Sequence, residues 1–252
     1  MSHASSRTLA VSIGRFLILL CFMSFAQMVM AQSTIFNIPS TDTVAAKKGY
    51  AEFDYLAEMP APSGARNQIF VPRIVVGIAP NVEAGANFLF SHTPGFTSDV
   101  FQPNIKWKFA HNDEKGLAGS AGIIWYTPIN HRTGADSFGV VYGNFSKKVK
   151  GTYGPRVTLG PYGIVGTAEG TPGTKAGAIV GWEQPIQAKV SIVADWFSGV
   201  SGFGYFTPGI SITLPHSSLF NAGYSIGNNS YNSTTGNKDN RYLFLYYGIT
   251  FP

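Results

Sequence analysis

Apolar and polar residues alternate with a period of two along much of the chain. Around Trp107 the sequence FQPNIKWKF puts aromatic and aliphatic residues on one face and Gln, Asn and Lys on the other. The segments KVSIVADWF, from residue 189, and FTPGISITL, from residue 206, repeat the arrangement. Successive side chains of a β-strand point to opposite faces, so this period predicts strands with one apolar and one polar face. Residues 117–126 and 136–147 do not alternate decisively, and their faces stay open.

About twelve candidate strands follow one another between Lys48 and Phe251, within a possible range of roughly 10–14 for a barrel of this kind. Connections after even-numbered strands are mostly tight, such as Ala79–Asn81, whereas several after odd-numbered strands are longer, such as 228–240. Short turns on one side and long loops on the other are typical of outer-membrane β-barrels, whose short turns face the periplasm. An even strand count places both chain ends on that side.

The last strand, RYLFLYYGITF, is the strongest single indication of this class. Counting back from Phe251 in steps of two gives Ile249, Tyr247, Leu245 and Leu243, so one face is apolar as far back as Leu243. A soluble edge strand this long and uncharged would invite aggregation. We therefore predict that it is the closing strand of a barrel, with Phe251, Ile249 and Tyr247 as the signal that the barrel-assembly machinery reads.

A secreted β-sandwich is the alternative, because its strands also alternate. Two features weigh against it. The candidate strands are long compared with the five or six residues, roughly, of soluble sheets, and nearly all of them carry a row of aromatic and aliphatic residues. The predicted fold is an all-β, antiparallel transmembrane β-barrel formed by residues 48–252, in contact with outer-membrane lipid.

Composition agrees with a barrel and removes several classes of function. The chain has 29 glycines, 14% aromatic residues and only 12% charged residues. The only cysteine is Cys21, so the chain after residue 31 has no disulfide, thiolate metal site or cysteine nucleophile. The formal net charge falls from +5 to +3 without Arg7 and Arg15, which does not favour a nucleic-acid partner.

The N-terminus reads as a signal peptide over residues 1–31. Arg7 and Arg15 precede the apolar run FLILLCFMSF, and the small residue Ala31 precedes the expected cleavage site. The run is short of the ~20 residues that a spanning helix needs. Residues 32–47 then form an N-terminal periplasmic segment, which either tucks into the periplasmic mouth as a small plug or is disordered. Its Ile-Phe-x-Ile sequence favours an ordered segment.

The signal peptide, the strand rhythm and the terminal aromatic strand resemble uncharacterised bacterial outer-membrane β-barrel proteins of the small porin or transporter-like kind. The hairpin GIAPNVEAGANF at 77–88 and the segment VADWFSG at 193–199 carry the same resemblance. It covers residues 48–252 and is specific for architecture rather than function. One departure is Pro252, because the family pattern ends on the aromatic residue that Phe251 represents here.

The polar faces predict which side chains enter the lumen. A lysine at the lipid midplane would cost about 2–4 kcal/mol, so the polar face must be the inner one. The predicted lumen residues, of mixed sign with a small basic excess, are Arg73, Glu83, Asn87, Lys106, Lys108, Arg156, Glu183, Lys189 and Asp195. In the simpler interpretation these residues only stabilise the barrel, since buried charges persist when they are paired. Their functional interpretation is a path or cradle for a small hydrophilic solute.

The sequence predicts a passive or weakly selective channel for small hydrophilic solutes, with anions among the candidates. The alternatives are a structural or adhesive envelope barrel with a closed lumen and a lipid-modifying barrel enzyme. Enzyme signals are weak, because no fixed spacing marks the histidines and serines of the loops. We therefore expect no enzymatic activity, no metal site and no cofactor.

Overall fold

The computed structural model describes residues 33–59, 66–93, 96–130, 136–166, 173–228 and 241–252. These residues form twelve strands. In chain order they are β1 Gly49–Glu58, β2 Gln68–Ala79, β3 Val82–Thr93, β4 Phe96–Asn112, β5 Leu117–Pro128, β6 Phe138–Lys148, β7 Arg156–Val165, β8 Ala176–Gln187, β9 Val190–Phe197, β10 Tyr205–Leu214, β11 Ser218–Gly227 and β12 Arg241–Phe251. The expected signal peptide, with cleavage after Ala31, lies outside the described residues.

Every strand pairs antiparallel with its neighbours in sequence, and β1 pairs with β12 to close the sheet into a barrel. The closing seam runs in register from Gly49 opposite Phe251 to Glu58 opposite Tyr242. The prediction of an all-β, antiparallel, twelve-stranded barrel is confirmed. Closure pairs the backbone groups of both end strands, which is the condition for a sheet to stand in lipid.

The outer surface of the barrel is apolar. Exposed side chains include Ile105, Trp107, Phe145 and Leu159, and Phe145 is the most open of these at 61%. Trp107 lies nearer the end that holds the chain termini, whereas Trp125 lies nearer the opposite end. Aromatic residues near both ends of an apolar band are typical of outer-membrane barrels. No helix in the described part of the chain is long and apolar enough to cross a membrane.

The two strands whose faces the sequence left open alternate as the others do. On β5 Ser120 is fully buried and Trp125 is exposed; on β6 Asn144 is fully buried and Phe145 is exposed. Their inner faces mix small polar residues, such as Ser120, with uncharged larger ones, such as Tyr126 and Tyr142, and these large inner residues blur the alternation. This is why the polar pattern was too weak to assign them from the sequence.

Candidate functional site

Residues 33–46 lie inside the barrel and are called the plug below. Ile35, Phe36, Ile38 and Val44 are all at most 2% exposed, which makes the plug the apolar centre of the lumen. A bridge between Thr34 and Pro39 folds it back on itself. The sequence left two alternatives for residues 32–47, a small plug in the periplasmic mouth or a disordered segment; in the structure the plug reaches into the lumen, where its apolar side chains are buried.

Asp195 on β9 binds the turn of the plug at residues 36–38. Its Oδ2 accepts hydrogen bonds from the backbone N–H groups of Phe36 at 3.0 Å, Asn37 at 2.6 Å and Ile38 at 3.0 Å. The side-chain amide of Asn37 donates to Oδ1 at 3.3 Å and to Thr207 on β10 at 2.7 Å. Three consecutive N–H groups on one carboxylate are a strong, charge-assisted anchor.

A second anchor joins β3 and β4 to both ends of the plug. Lys106 forms an ion pair with Glu83 at 2.9 Å, and its Nζ donates to the carbonyl oxygen of Ser33 at 3.0 Å. The Glu83 carboxylate accepts from the hydroxyl of Ser33 and from the backbone N–H of Val44, both at 2.6 Å. Glu83 and Lys106 are almost fully buried, and their charges are satisfied by each other and by the plug.

Asp42 carries the only negative charge among the described plug residues and meets two cations of the wall. It pairs with Arg156 on β7 and lies 3.7 Å from the ammonium of Lys108 on β4. Arg156 also pairs with Glu183 on β8, with 2.8 Å between Nη2 and Oε1. Burial raises the pKa of Asp42, but the charges of Arg156 and Lys108 outweigh burial, and the net pKa lies below its usual value of 3.8.

Arg73 on β2 is the centre of a third cluster. It pairs with Glu52 at 2.7 Å and with Asp54 at 3.4 Å, both on β1, and donates to the hydroxyl of Thr34 at 2.8 Å. Glu52 and Asp54 are buried. Because they outnumber Arg73, the cluster contributes no surplus positive charge to the lumen when both carboxyls are ionised.

Two wall glycines make room for the plug. A Cβ at Gly209 on β10 or at Gly223 on β11 would lie 2.6 or 2.7 Å from the ring of Phe36. That ring packs between these backbones and the aromatic side chains of Phe244, with centroids 5.4 Å apart, and Tyr246, at 6.1 Å. A larger residue at either glycine would displace Phe36, so the wall is shaped for the plug.

A cavity of about 240 Å³ lies beside the plug in the lumen. Polar side chains line it near the plug, including Arg73, Asn87 and Lys106, whereas Leu89 and Ile124 belong to its apolar wall. Along β3, Asn87 is closer than Leu89 to the turn at Asn81, which lies at the end that holds the chain termini. The cavity is therefore polar towards the termini and apolar towards the opposite end.

The connection between β9 and β10 narrows the lumen at the end opposite the termini. Phe203 in this connection has its ring 5.4 Å from that of Tyr126 on β5 and 6.1 Å from that of Phe138 on β6. It also contacts Phe197 on β9, at 5.5 Å. Since β5 and β6 are not neighbours of β9 and β10, these ring contacts bridge separate parts of the wall at the level of the cavity.

Eight of the nine lumen residues expected from the sequence are inside; Asn87 lines the cavity, and the other seven belong to the anchors and clusters described above. Lys189 is a correction: it lies exposed in the two-residue turn between β8 and β9, because β9 begins only at Val190. Lys106 and Lys108 do not form a free basic pair, since each faces a carboxylate. Sequence reasoning missed Glu52 and Asp54, although the alternation of EFD with Phe53 outward was a usable signal.

A closed antiparallel barrel with an apolar outer surface and a polar interior defines a bacterial outer-membrane β-barrel protein. No model of a known protein family matches the chain, and no curated protein matches it. Among solved structures it is similar to an outer membrane channel from Pseudomonas putida F1, at 10% identity and a TM-score of 0.49, over 83% of this chain and 96% of the channel. It is also similar to an active-site mutant of outer membrane phospholipase A from Escherichia coli, at 10% identity and a TM-score of 0.45, over 83% of this chain and 91% of that one.

These likenesses concern the fold. They nevertheless correct one expectation from the sequence. The prediction of no enzymatic activity, drawn from the lack of a fixed spacing of serines and histidines, is contradicted by the second of these structures, since outer membrane phospholipase A is an enzyme. Membership of this structural class leaves catalysis open.

Proposed function

We propose that the protein is an outer-membrane channel for small molecules whose lumen is obstructed by the plug and opens when the plug shifts. The observation that carries the proposal is the way the plug is attached. Between Ser33 and Ala46 the anchors to the wall are side-chain hydrogen bonds and ion pairs, and the described bridge to the wall is at its last residue, Ala46 with Gly77. A segment held by side chains can move without unpairing the barrel.

The free energy gained by burying the plug limits the kind of channel that the barrel can form. Fully burying a Val, Ile or Phe side chain contributes about 1.5–3 kcal/mol, so the four apolar plug residues contribute about 6–12 kcal/mol. Complete spontaneous release would then occur in fewer than about one molecule in 10,000. This supports a channel that is closed at rest and opens by a limited shift or on ligand entry, rather than a permanently open pore for hydrophilic solutes.

A reversible disulfide bond between the plug and the wall, called the redox lock below, tests the proposal. The hydroxyls of Thr41 and Ser146 are 2.7 Å apart, so Thr41→Cys with Ser146→Cys in a Cys21→Ser chain places two thiols side by side. Conductance in planar bilayers is measured with the Asp195→Ala change added, which removes the anchor on the turn. We expect open events in the reduced protein and their loss on oxidation.

Two results contradict the proposal. Conductance that survives oxidation would mean that the plug does not control the path. Absence of conductance in both redox states, from protein that folds as a heat-modifiable barrel, would favour a closed envelope barrel.

A further inference from the structure

The cavity beside the plug has a polar end built from three amides. Asn87 on β3 donates from Nδ2 to Oε1 of Gln102 on β4 at 3.1 Å, and Asn104 donates from Nδ2 to Oδ1 of Asn87 at 3.3 Å. These two bonds use neither the amino group of Gln102 nor the carbonyl oxygen of Asn104. All three side chains line the cavity. The cluster therefore offers a donor and an acceptor to a neutral hydroxyl or carbonyl group.

The charged side chains at the polar end of the cavity are already paired with one another. Lys106 is paired with Glu83, and Arg73 with Glu52 and Asp54. Glu83 balances Lys106 and Glu52 balances Arg73, so no surplus positive charge remains for an anionic ligand. A negatively charged group would bear the cost of leaving water without an unpaired cation to offset it. The cavity chemistry selects against anions, which is the reverse of what the lysines suggest when they are read from the sequence alone.

The rest of the cavity wall is apolar and aromatic. Leu56, Val71 and Leu89 line it from β1, β2 and β3, and Tyr126 and Phe203 bring aromatic rings to it. Tyr126 is already stacked on Phe138, with centroids 4.7 Å apart and planes at 4°. Aromatic rings attract other rings in stacked or edge-to-face contacts beyond the effect of area alone. A flat aromatic body fits such a wall better than a sugar or an amino acid does.

The volume limits the size of the occupant. A buried apolar cavity of about 150 Å³ takes up one benzene molecule, and this cavity measures about 240 Å³. We infer that the cavity binds a neutral aromatic molecule of one or two rings, with one hydroxyl or carbonyl group directed to the amide cluster of Asn87, Gln102 and Asn104. This inference deepens the proposed function, because the occupant would be the molecule that the channel admits.

Calorimetric titration of the full barrel in amphipol, with 2-naphthol as the probe, tests the inference. The ring-matched anion 2-naphthoate and the polar solute sorbitol are the comparison ligands. Gly202 lines the cavity and a Cβ there would meet no atom within 4 Å, so Gly202→Trp should fill it. Gly143→Trp is the matched control, since a Cβ at Gly143 also meets no atom within 4 Å but lies on the outer face of β6.

We expect saturable binding of one 2-naphthol per barrel in the wild type and in Gly143→Trp, and its loss in Gly202→Trp. Asn104→Leu should weaken 2-naphthol about fivefold and leave naphthalene unchanged, because only the hydroxyl uses the amide. 2-Naphthoate should bind at least about tenfold more weakly than 2-naphthol, since its charge must be desolvated.

Equal uptake by Gly202→Trp would overturn the inference, because it would show partition into amphipol or lipid. Equal binding of 2-naphthol and 2-naphthoate would overturn the neutral class. The outcome is separable from that of the redox lock on the plug. Gated conductance without naphthol binding removes this ligand class and leaves the channel; naphthol binding without any conductance leaves a ligand-binding barrel that is not a channel.

Discussion

Asp195 holds Asn37 twice, through its backbone N–H at 2.6 Å and through its side-chain amide at 3.3 Å. The same carboxylate also accepts the neighbouring N–H groups of Phe36 and Ile38. One side chain on β9 thereby fixes the turn of the plug. The position of the plug should depend on it more than on any other polar residue of the wall.

Asp195→Ala should release the turn. Hydrogen bonds to a charged group are worth about 1.5–3 kcal/mol each, so losing even one would raise the displaced population about tenfold or more. Ser40 is fully buried, and Ser40→Cys gives a thiol that maleimide reaches only when the plug moves. We expect labelling at least about tenfold faster with Asp195→Ala than without it. The chain without Ser40→Cys measures labelling at Cys21, and equal rates in both Ser40→Cys proteins would contradict the prediction.

Arg156→Ala should destabilise the barrel, because it leaves Asp42 and Glu183 facing each other without their shared cation. Breaking a partly buried pair costs about 2–3 kcal/mol after allowance for solvent. Lys189→Ala is the control, since Lys189 is exposed in a turn and its loss should change the unfolding free energy by less than about 0.5 kcal/mol. Urea titration of the folded barrel, read by heat-modifiable migration on gels, gives both values. Equal effects of the two changes would mean that Arg156 has no anchoring role.

The anchor that Asp42 makes with Arg156 should survive acidification until the pH is low. The pKa of Asp42 lies below its usual value of 3.8, so the stability it contributes is present above that value and is lost as the pH falls through the lowered pKa. Labelling at Ser40→Cys, with a reagent that reacts in acid, reports the release of the plug, and the contribution of Asp42 to its retention should be unchanged from pH 7 to about pH 5. Arg156→Ala removes the main charge that lowers the pKa of Asp42, so this pKa rises and loss of the Asp42 contribution should move to higher pH. An unchanged profile in Arg156→Ala would contradict this assignment.

Phe251 should anchor the closing strand during assembly. Its ring lies over Gly49 across the seam, where a Cβ would come within 2.3 Å of it, so it covers the backbone where β1 meets β12. Phe251→Ala should reduce the folded barrel in the outer-membrane fraction and increase periplasmic degradation. Phe53→Ala removes a similar exposed ring from the middle of β1 and should assemble normally. If Phe251→Ala assembles as well as Phe53→Ala, Pro252 or an internal signal is being read.

Cleavage after Ala31 remains to be tested by N-terminal sequencing of the protein from the outer-membrane fraction. We expect the chain to begin at Gln32, next to the first described plug residue, Ser33. An N-terminus upstream of Gln32 would contradict the assignment.

The barrel was predictable because period-two alternation is a local property. Trp107 between Lys106 and Lys108 assigns a face from three adjacent residues, and the structure agrees. The plug was only partly predictable. The apolar side chains of Ile35 and Phe36 indicate that they are buried, but not which residues bury them. The partners of Asp195 and Arg156 were not predictable, since each depends on a plug residue more than one hundred positions away. The prediction for Lys189 was wrong for a simpler reason, because it placed the start of β9 one residue too early.

The plug also bears on the order of folding. It precedes β1 in the chain, yet Asn221 on β11 donates to the carbonyl oxygen of Ile35 at a separation of 186 residues. Contacts that close such long loops form slowly, because the entropy of closure comes before any gain. The plug is synthesised before every strand, yet its binding site is completed only by β11, nearly the last strand. We expect the barrel to be inserted with an empty interior and to acquire its obstruction as the final step, so newly assembled molecules would pass through a brief leaky stage.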